Sequence, residues 1–138
     1  MRKLLKSLLP IGILYMYRAH RAYWLGEREL HFLRELVPAD LVAIDVGANY
    51  GEYAYWLEKL SYKVCLFEPH PECAEYLKQC VSPSTDIYQM GLSNRSDDSV
   101  LQVPIDDNLS AVTARASLSN KAVSEFGSLD ILSVKLAR

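Results

Sequence analysis

No apolar stretch of this chain is long enough to cross a membrane. Residues 8–17 form its main apolar run, ten residues interrupted by Pro10 and Gly12, where a spanning helix needs roughly 20. The chain also lacks a surplus of charge. Fifteen Lys and Arg against 17 Asp and Glu leave a net −2, so nothing in the overall balance calls for a nucleic-acid partner. Cysteine is scarce. Cys65, Cys73 and Cys80 are odd in number and spaced by eight and seven. That excludes a disulfide framework and does not read as a zinc site, so reduced thiols in a cytoplasmic protein are expected and no metal.

What remains is an ordinary globular composition, half hydrophobic, in 138 residues. That length suits one domain with a core of moderate size. Charge is unevenly placed within it. Residues 1–34 carry seven basic side chains (Arg2, Lys3, Lys6, Arg18, Arg21, Arg28 and Arg34) against Glu27 and Glu29. The start, MRKLLK before an apolar stretch, is like a secretory signal. However, YRAHRAYW follows where a small-residue cleavage site belongs. We therefore divide the chain into a basic, apolar helical segment, 1–26, and the domain proper, 27–138. The segment is expected to pack over its own domain. Peripheral contact of residues 1–25 with a membrane or a partner is the alternative.

Along the chain the hydrophobic period alternates between two types. Residues 27–37 place Leu30, Leu33, Leu36 and Val37 at helical spacing. LVAIDV, 41–46, is continuous and β-branched, which predicts a strand covered on both faces. Tyr53, Trp56, Leu57 and Leu60 then recur at i, i+3, i+4 and i+7, a helix with one buried face. KVCLFEP, 63–69, reads as a second strand, and 70–81 as a helix with Pro71 in its first turn. IYQMGLS, 87–93, reads as a third strand. This order is the mark of βαβ units and a parallel sheet. After Asn94 the pattern weakens. VLQVPI, 100–105, predicts a short strand that Pro104 confines to an edge. Residues 106–128 have no clear period, and 129–138 alternate like a further edge strand. The fold class expected is α/β, a Rossmann-like doubly wound sheet followed by an antiparallel excursion.

Right-handed crossovers bring the carboxyl ends of the strands to one sheet edge, where ligands bind in such folds. Asp45 to Gly51 and Glu68 fall there. A strand ending in an acid, then Gly-x-x-x-Gly entering a helix, brings bare backbone close to a ligand. The second glycine also lets the helix pack tightly. Glu68, 23 residues beyond Asp45, ends the next strand and suits the two hydroxyls of a ribose. The dinucleotide fingerprint G-x-G-x-x-G is absent: Gly47-Ala48-Asn49-Tyr50-Gly51 lacks its middle glycine, and Tyr50 is bulky where a pyrophosphate would lie. Asp45 would repel phosphate and attract a cationic amino group. These features favour S-adenosylmethionine over NAD. Each residue also has a plainer reading: Asp45 as a helix-capping acid, Glu68 as a solvated strand end, His70 as the cap of the following helix. His20 and His31 read as structural, and the tyrosines around the loop as packing.

AIDVGANYGEYAYWL, LFEPHPECAEYLK and IYQMGLSN together resemble the FkbM family of S-adenosylmethionine-dependent methyltransferases, over residues 27–94. The carrying motifs are D-x-G-A-N-x-G and, at the second strand end, E-P-x-P. The resemblance implies that Asp45, Gly47, Ala48, Asn49 and Gly51 surround the methionine part. It implies that Glu68 holds the ribose, that Pro69 and His70 flank the adenine, and that the turn with Ser93 and Asn94 closes over its edge. It further implies a class I methyltransferase acting on a hydroxyl of a sugar or secondary metabolite, a small-molecule or glycan acceptor. The family's next motif, similar to iKiDvEG, does not occur. The remaining strands, the acceptor site and any catalytic base are therefore expected beyond Arg138, and β1 is expected to expose an apolar edge able to pair with another chain. The alternatives are a non-catalytic fragment or nucleotide-binding partner protein, an NAD-binding oxidoreductase, and a membrane-surface accessory protein.

Overall fold

A computed structural model describes residues 9–94, 96–105, 116, 118 and 128–137. The amino-terminal region is helix α1 (Ile11–Leu25), a 3-10 turn (Arg28–Phe32) and a single-turn α2 (Leu33–Leu36). The continuous helix that the spacing predicts for 27–37 is thus a 3-10 segment joined to one α-turn. Strand β1 (Val42–Val46), helix α3 (Ala54–Leu60), strand β2 (Lys63–Phe67), helix α4 (Pro71–Cys80) and strand β3 (Asp86–Tyr88) follow. The three strands are parallel and ordered β1-β2-β3, with Ile44 opposite Cys65 and Phe67 opposite Tyr88. The chain is accordingly a mixed α/β protein with a Rossmann-like start.

Because the sheet grows in one direction, right-handed crossovers carry α3 and α4 over the same face. The core lies beneath them. Ala48, Ala54, Leu57, Val64, Leu66 and Leu77 are buried together, with Ala43, Tyr53, Val81 and Ile87 closing around them. Pro71 occupies the first turn of α4, where its missing N–H costs nothing. The second face of β1 is bare. Val42, Ile44 and Val46 are all exposed, Ile44 to 61%, so the expected two-sided cover is absent among the described residues. A test is direct: Ile44→Thr should change stability by less than about 0.5 kcal/mol, as for an exposed position. A loss of about 2 kcal/mol or more in urea denaturation would mean that something covers this face.

Helix α1 lies over α3 and α4. Its Tyr15 and Ala19 are buried, the Trp56 indole N–H donates to the Ala19 carbonyl at 3.3 Å, and Tyr15 meets Tyr55 edge-on at 5.5 Å between ring centroids. Strands β4 (Gly91–Leu92), β5 (Asp98–Ile105) and β6 (Ser128–Ala137) build a second sheet, ordered β4-β6-β5. Two expectations change here. The single strand predicted over 87–93 breaks after Tyr88: β3 stays in the first sheet, and β4 pairs in parallel with β6. The last strand is central and not an edge, because it pairs on one side with β4 and antiparallel with β5 on the other. Strand β5, with Pro104, is an edge. Leu101, Val103 and Val134 form its small core. Most of 106–128, the stretch without clear period, lies outside the described residues.

Candidate functional site

The loops after β1, β2 and β3 are laced together by backbone. The N–H groups of Gly47 and Ala48 both donate to the Phe67 carbonyl, at 2.8 and 3.2 Å, and the Glu68 N–H donates to the Tyr88 carbonyl at 3.0 Å. Three alternate residues of the first loop have positive φ: Gly47 at 81°, Asn49 at 49° and Gly51 at 82°. Glycine adopts this conformation freely, and asparagine more readily than other side chains. The two glycines serve different ends. A Cβ on Gly47 would meet nothing within 4 Å, so its backbone is open to an approaching group. A Cβ on Gly51 would come within 2.6 Å of the Tyr15 ring and 2.7 Å of a Leu77 methyl. Gly51 is thus the point where α1 and α4 close on the loop.

Two carboxylates stand at the strand ends in contrasting states. Glu68 is 5% exposed. Its Oε2 accepts the Asn49 N–H at 2.6 Å and its Oε1 accepts the His70 N–H at 2.7 Å. These short, charge-assisted bonds clasp the first loop to the second. Each oxygen keeps a further lone pair. Asp45 has no such support: its Oδ2 is buried without a hydrogen-bond partner. Burial, then the nearby charges of Glu68 and Glu52, push its carboxyl up to about 6. A buried acceptor left unmet in this way costs free energy, and a cation placed beside it recovers that cost.

Both acids face a cleft of about 1470 Å³, roomy enough for a nucleoside and a second molecule. Asp45, Gly47, Ala48, Asn49, Glu68 and Pro69 line it, as the sequence nominates. Gly51, His70, Ser93 and Asn94 are not among its described walls. Gly51 lies behind, against Tyr15 and Leu77. His70 is buried at the N-cap of α4; its side chain makes no capping bond, and its Nδ1 has no partner. Ser93 and Asn94 follow β4 toward the second sheet, where the Ser93 N–H donates to the Ala137 carbonyl at 2.9 Å. The pairing of β4 with β6 draws that turn away.

The cleft has a wall that sequence reasoning missed. Tyr17, Arg18 and Arg21 of α1 line it together with Glu52 of the glycine loop. The Arg18 guanidinium lies 4.0 Å from the Tyr50 ring centroid and 5.5 Å from that of Tyr76, a stacking that holds it across the loop. Tyr50 therefore packs, as expected. No local pattern announces Arg18 and Arg21; only the long-range docking of α1 brings them to the acids. Among the described residues, no group of three or more His, Cys, Asp or Glu side chains is arranged to hold a metal ion, and no helix is long and apolar enough to cross a membrane. No family model, curated protein or solved structure matches this chain.

Proposed function

We propose that this cleft binds S-adenosylmethionine and that the chain carries the donor site of a class I, FkbM-like O-methyltransferase. The observation that carries the reading is the orphaned, buried Asp45 Oδ2 beside an open glycine loop. An ammonium group answers both its missing bond and its raised proton affinity. A phosphate would meet four acidic side chains of the lining, Glu27, Asp45, Glu52 and Glu68, against two basic ones, Arg18 and Arg21, which disfavours NAD.

In this reading Asp45 takes the amino group of the methionine part, and Gly47 and Ala48 admit it against bare backbone. Glu68 accepts the ribose hydroxyls on its remaining lone pairs while it keeps the two loops clasped. Pro69 supplies an apolar contact. Arg18 and Arg21 give the α1 wall positive charge suited to the carboxylate. Bound there, the cofactor supplies a methyl group already activated on sulfonium. The chain's own residues then hold the donor in one orientation and keep it out of water, so that an acceptor hydroxyl meets it in line. The acceptor is proposed to be a sugar or secondary-metabolite hydroxyl. Its proton must pass to a base, a role we assign to none of the cleft acids.

Calorimetric titration of the 138-residue protein with S-adenosylhomocysteine, beside NAD, tests the reading. One-site binding of the first, at least about tenfold tighter than NAD (about 1.4 kcal/mol), is expected. NAD binding more tightly, or a folded protein that binds neither, would overturn it.

A further inference from the structure

We propose that the outward face of α1 is a docking surface for an anionic lipid membrane. This helix has two apolar faces. Tyr15 and Ala19 turn inward and are buried, while Ile13, Met16, Tyr17 and Trp24 recur at i, i+3, i+4 and i+11 on the opposite side. All four are exposed, from 43% at Met16 to 72% at Trp24, and Leu9 adds to the same side just before the helix. A helix packed on its own domain normally turns a polar face to water. Here the large apolar side chains form a patch, Ile13, Met16 and Tyr17, with Trp24 one turn beyond the exposed His20 and Arg21, and a patch of this kind marks an interaction surface.

Charge identifies the occupant. Residues 1–26 contain five basic residues and no acid, and the other 112 contain the remaining ten basic residues and all 17 acids. The segment is therefore +5 on a body of −7. An anionic bilayer attracts the first and repels the second, which orients the molecule with α1 against the surface. A second copy of the chain offers no complementary charge in the corresponding segment, since residues 1–26 of each copy carry five basic residues and no acid. Tyr17 and Trp24 are side chains that favour the headgroup boundary. At 15 residues α1 cannot span, so it lies in the interfacial plane, its outer face in the headgroup region and its inner face on the domain. Tyr17 and Arg21 also line the cleft, so docking sets the cleft mouth near the lipid surface. The inference stands on the outer face of α1 and on the charge difference between residues 1–26 and the rest of the chain, and is independent of what the cleft binds.

The full chain should float with phosphatidylcholine vesicles that carry phosphatidylglycerol and should remain behind with phosphatidylcholine alone. The double variant Ile13→Ser, Trp24→Ser should partition about tenfold less onto the anionic vesicles. Because both positions are exposed, its urea unfolding transition should not move, which separates lost docking from lost folding. In the wild type, Trp24 emission should shift to the blue on binding. Three results would overturn the proposal: no flotation of the folded protein, equal flotation of the double variant, or a wild-type dimer in light scattering that the variant dissolves, which would make this face a protein interface.

Discussion

Replacing Gly51 by alanine is expected to cost about 3 kcal/mol of folding stability, while Gly47→Ala costs about 1. Both positions have φ near +80°, where an L side chain is strained by roughly 1–2 kcal/mol. Only Gly51 adds a collision. Its new methyl would stand 2.6 Å from Tyr15 and 2.7 Å from Leu77, and these are 4% and 0% exposed, so neither has room to withdraw. Overpacking of this kind adds about 1–3 kcal/mol. Urea denaturation of the two variants measures the difference. The collision also predicts non-additivity: Gly51→Ala with Leu77→Ala should cost less than the sum of the single changes, since the second makes space for the first. Equal losses at Gly47 and Gly51 would mean that α1 does not close on the loop.

How far this could be read in advance depended on the range of the interactions. The βαβ order was legible because each element carries its own period: LVAIDV and KVCLFEP in short apolar runs, the two helices at i, i+3, i+4. The loop was legible because Gly47, Asn49 and Gly51 are residue types that tolerate positive φ. Four features lay outside that range. The break after Tyr88 follows from β4 pairing with residues 136 and 137, more than 40 positions away. The bare face of β1 looks, in sequence, the same as a buried one. Arg18 reaches the cleft only because Tyr15 and Ala19 seat α1 on the domain. Glu68 was legible as an acid at a strand end, but not as the clasp between Asn49 and His70. That clasp makes Glu68→Ala a poor probe of ligand binding, because it leaves two backbone N–H groups unmet and disturbs the loop itself. Asp45 makes no hydrogen bond through its buried Oδ2, so its replacement is the cleaner test.

Asp45→Asn is therefore expected to make the empty protein more stable at neutral and alkaline pH and to weaken the binding of S-adenosylhomocysteine. An acid whose carboxyl rises from 3.8 to about 6 on folding binds more protons in the native state than in the unfolded chain throughout that window. Stability must then fall as pH rises from about 4 to 6, and the cost is fully present above it. At 1.36 kcal/mol per pH unit, the burden at pH 8 is at most about 3 kcal/mol. Asparagine has no charge to bury, though its amide needs partners of its own, so a net gain of about 1–2 kcal/mol at pH 8 is expected. Below pH 4, where the native Asp45 is protonated and already neutral, the gain should vanish and the amide's own cost should leave the asparagine variant about 1–2 kcal/mol less stable than the wild type. Ligand binding should follow the same group with the opposite sense. An ammonium requires the ionised carboxylate, so wild-type affinity should weaken as pH falls through about 6, and the asparagine variant should bind at least about tenfold more weakly at pH 8. Urea denaturation and calorimetry at pH 4, 6 and 8 measure both effects on the same samples. An asparagine variant that is less stable at pH 8 would mean that the carboxylate is satisfied within the fold, and Asp45 would then be structural. A residue that weakens the fold and is needed only when the cleft is filled is the signature of a binding group, and the sign of this one stability difference distinguishes the two roles.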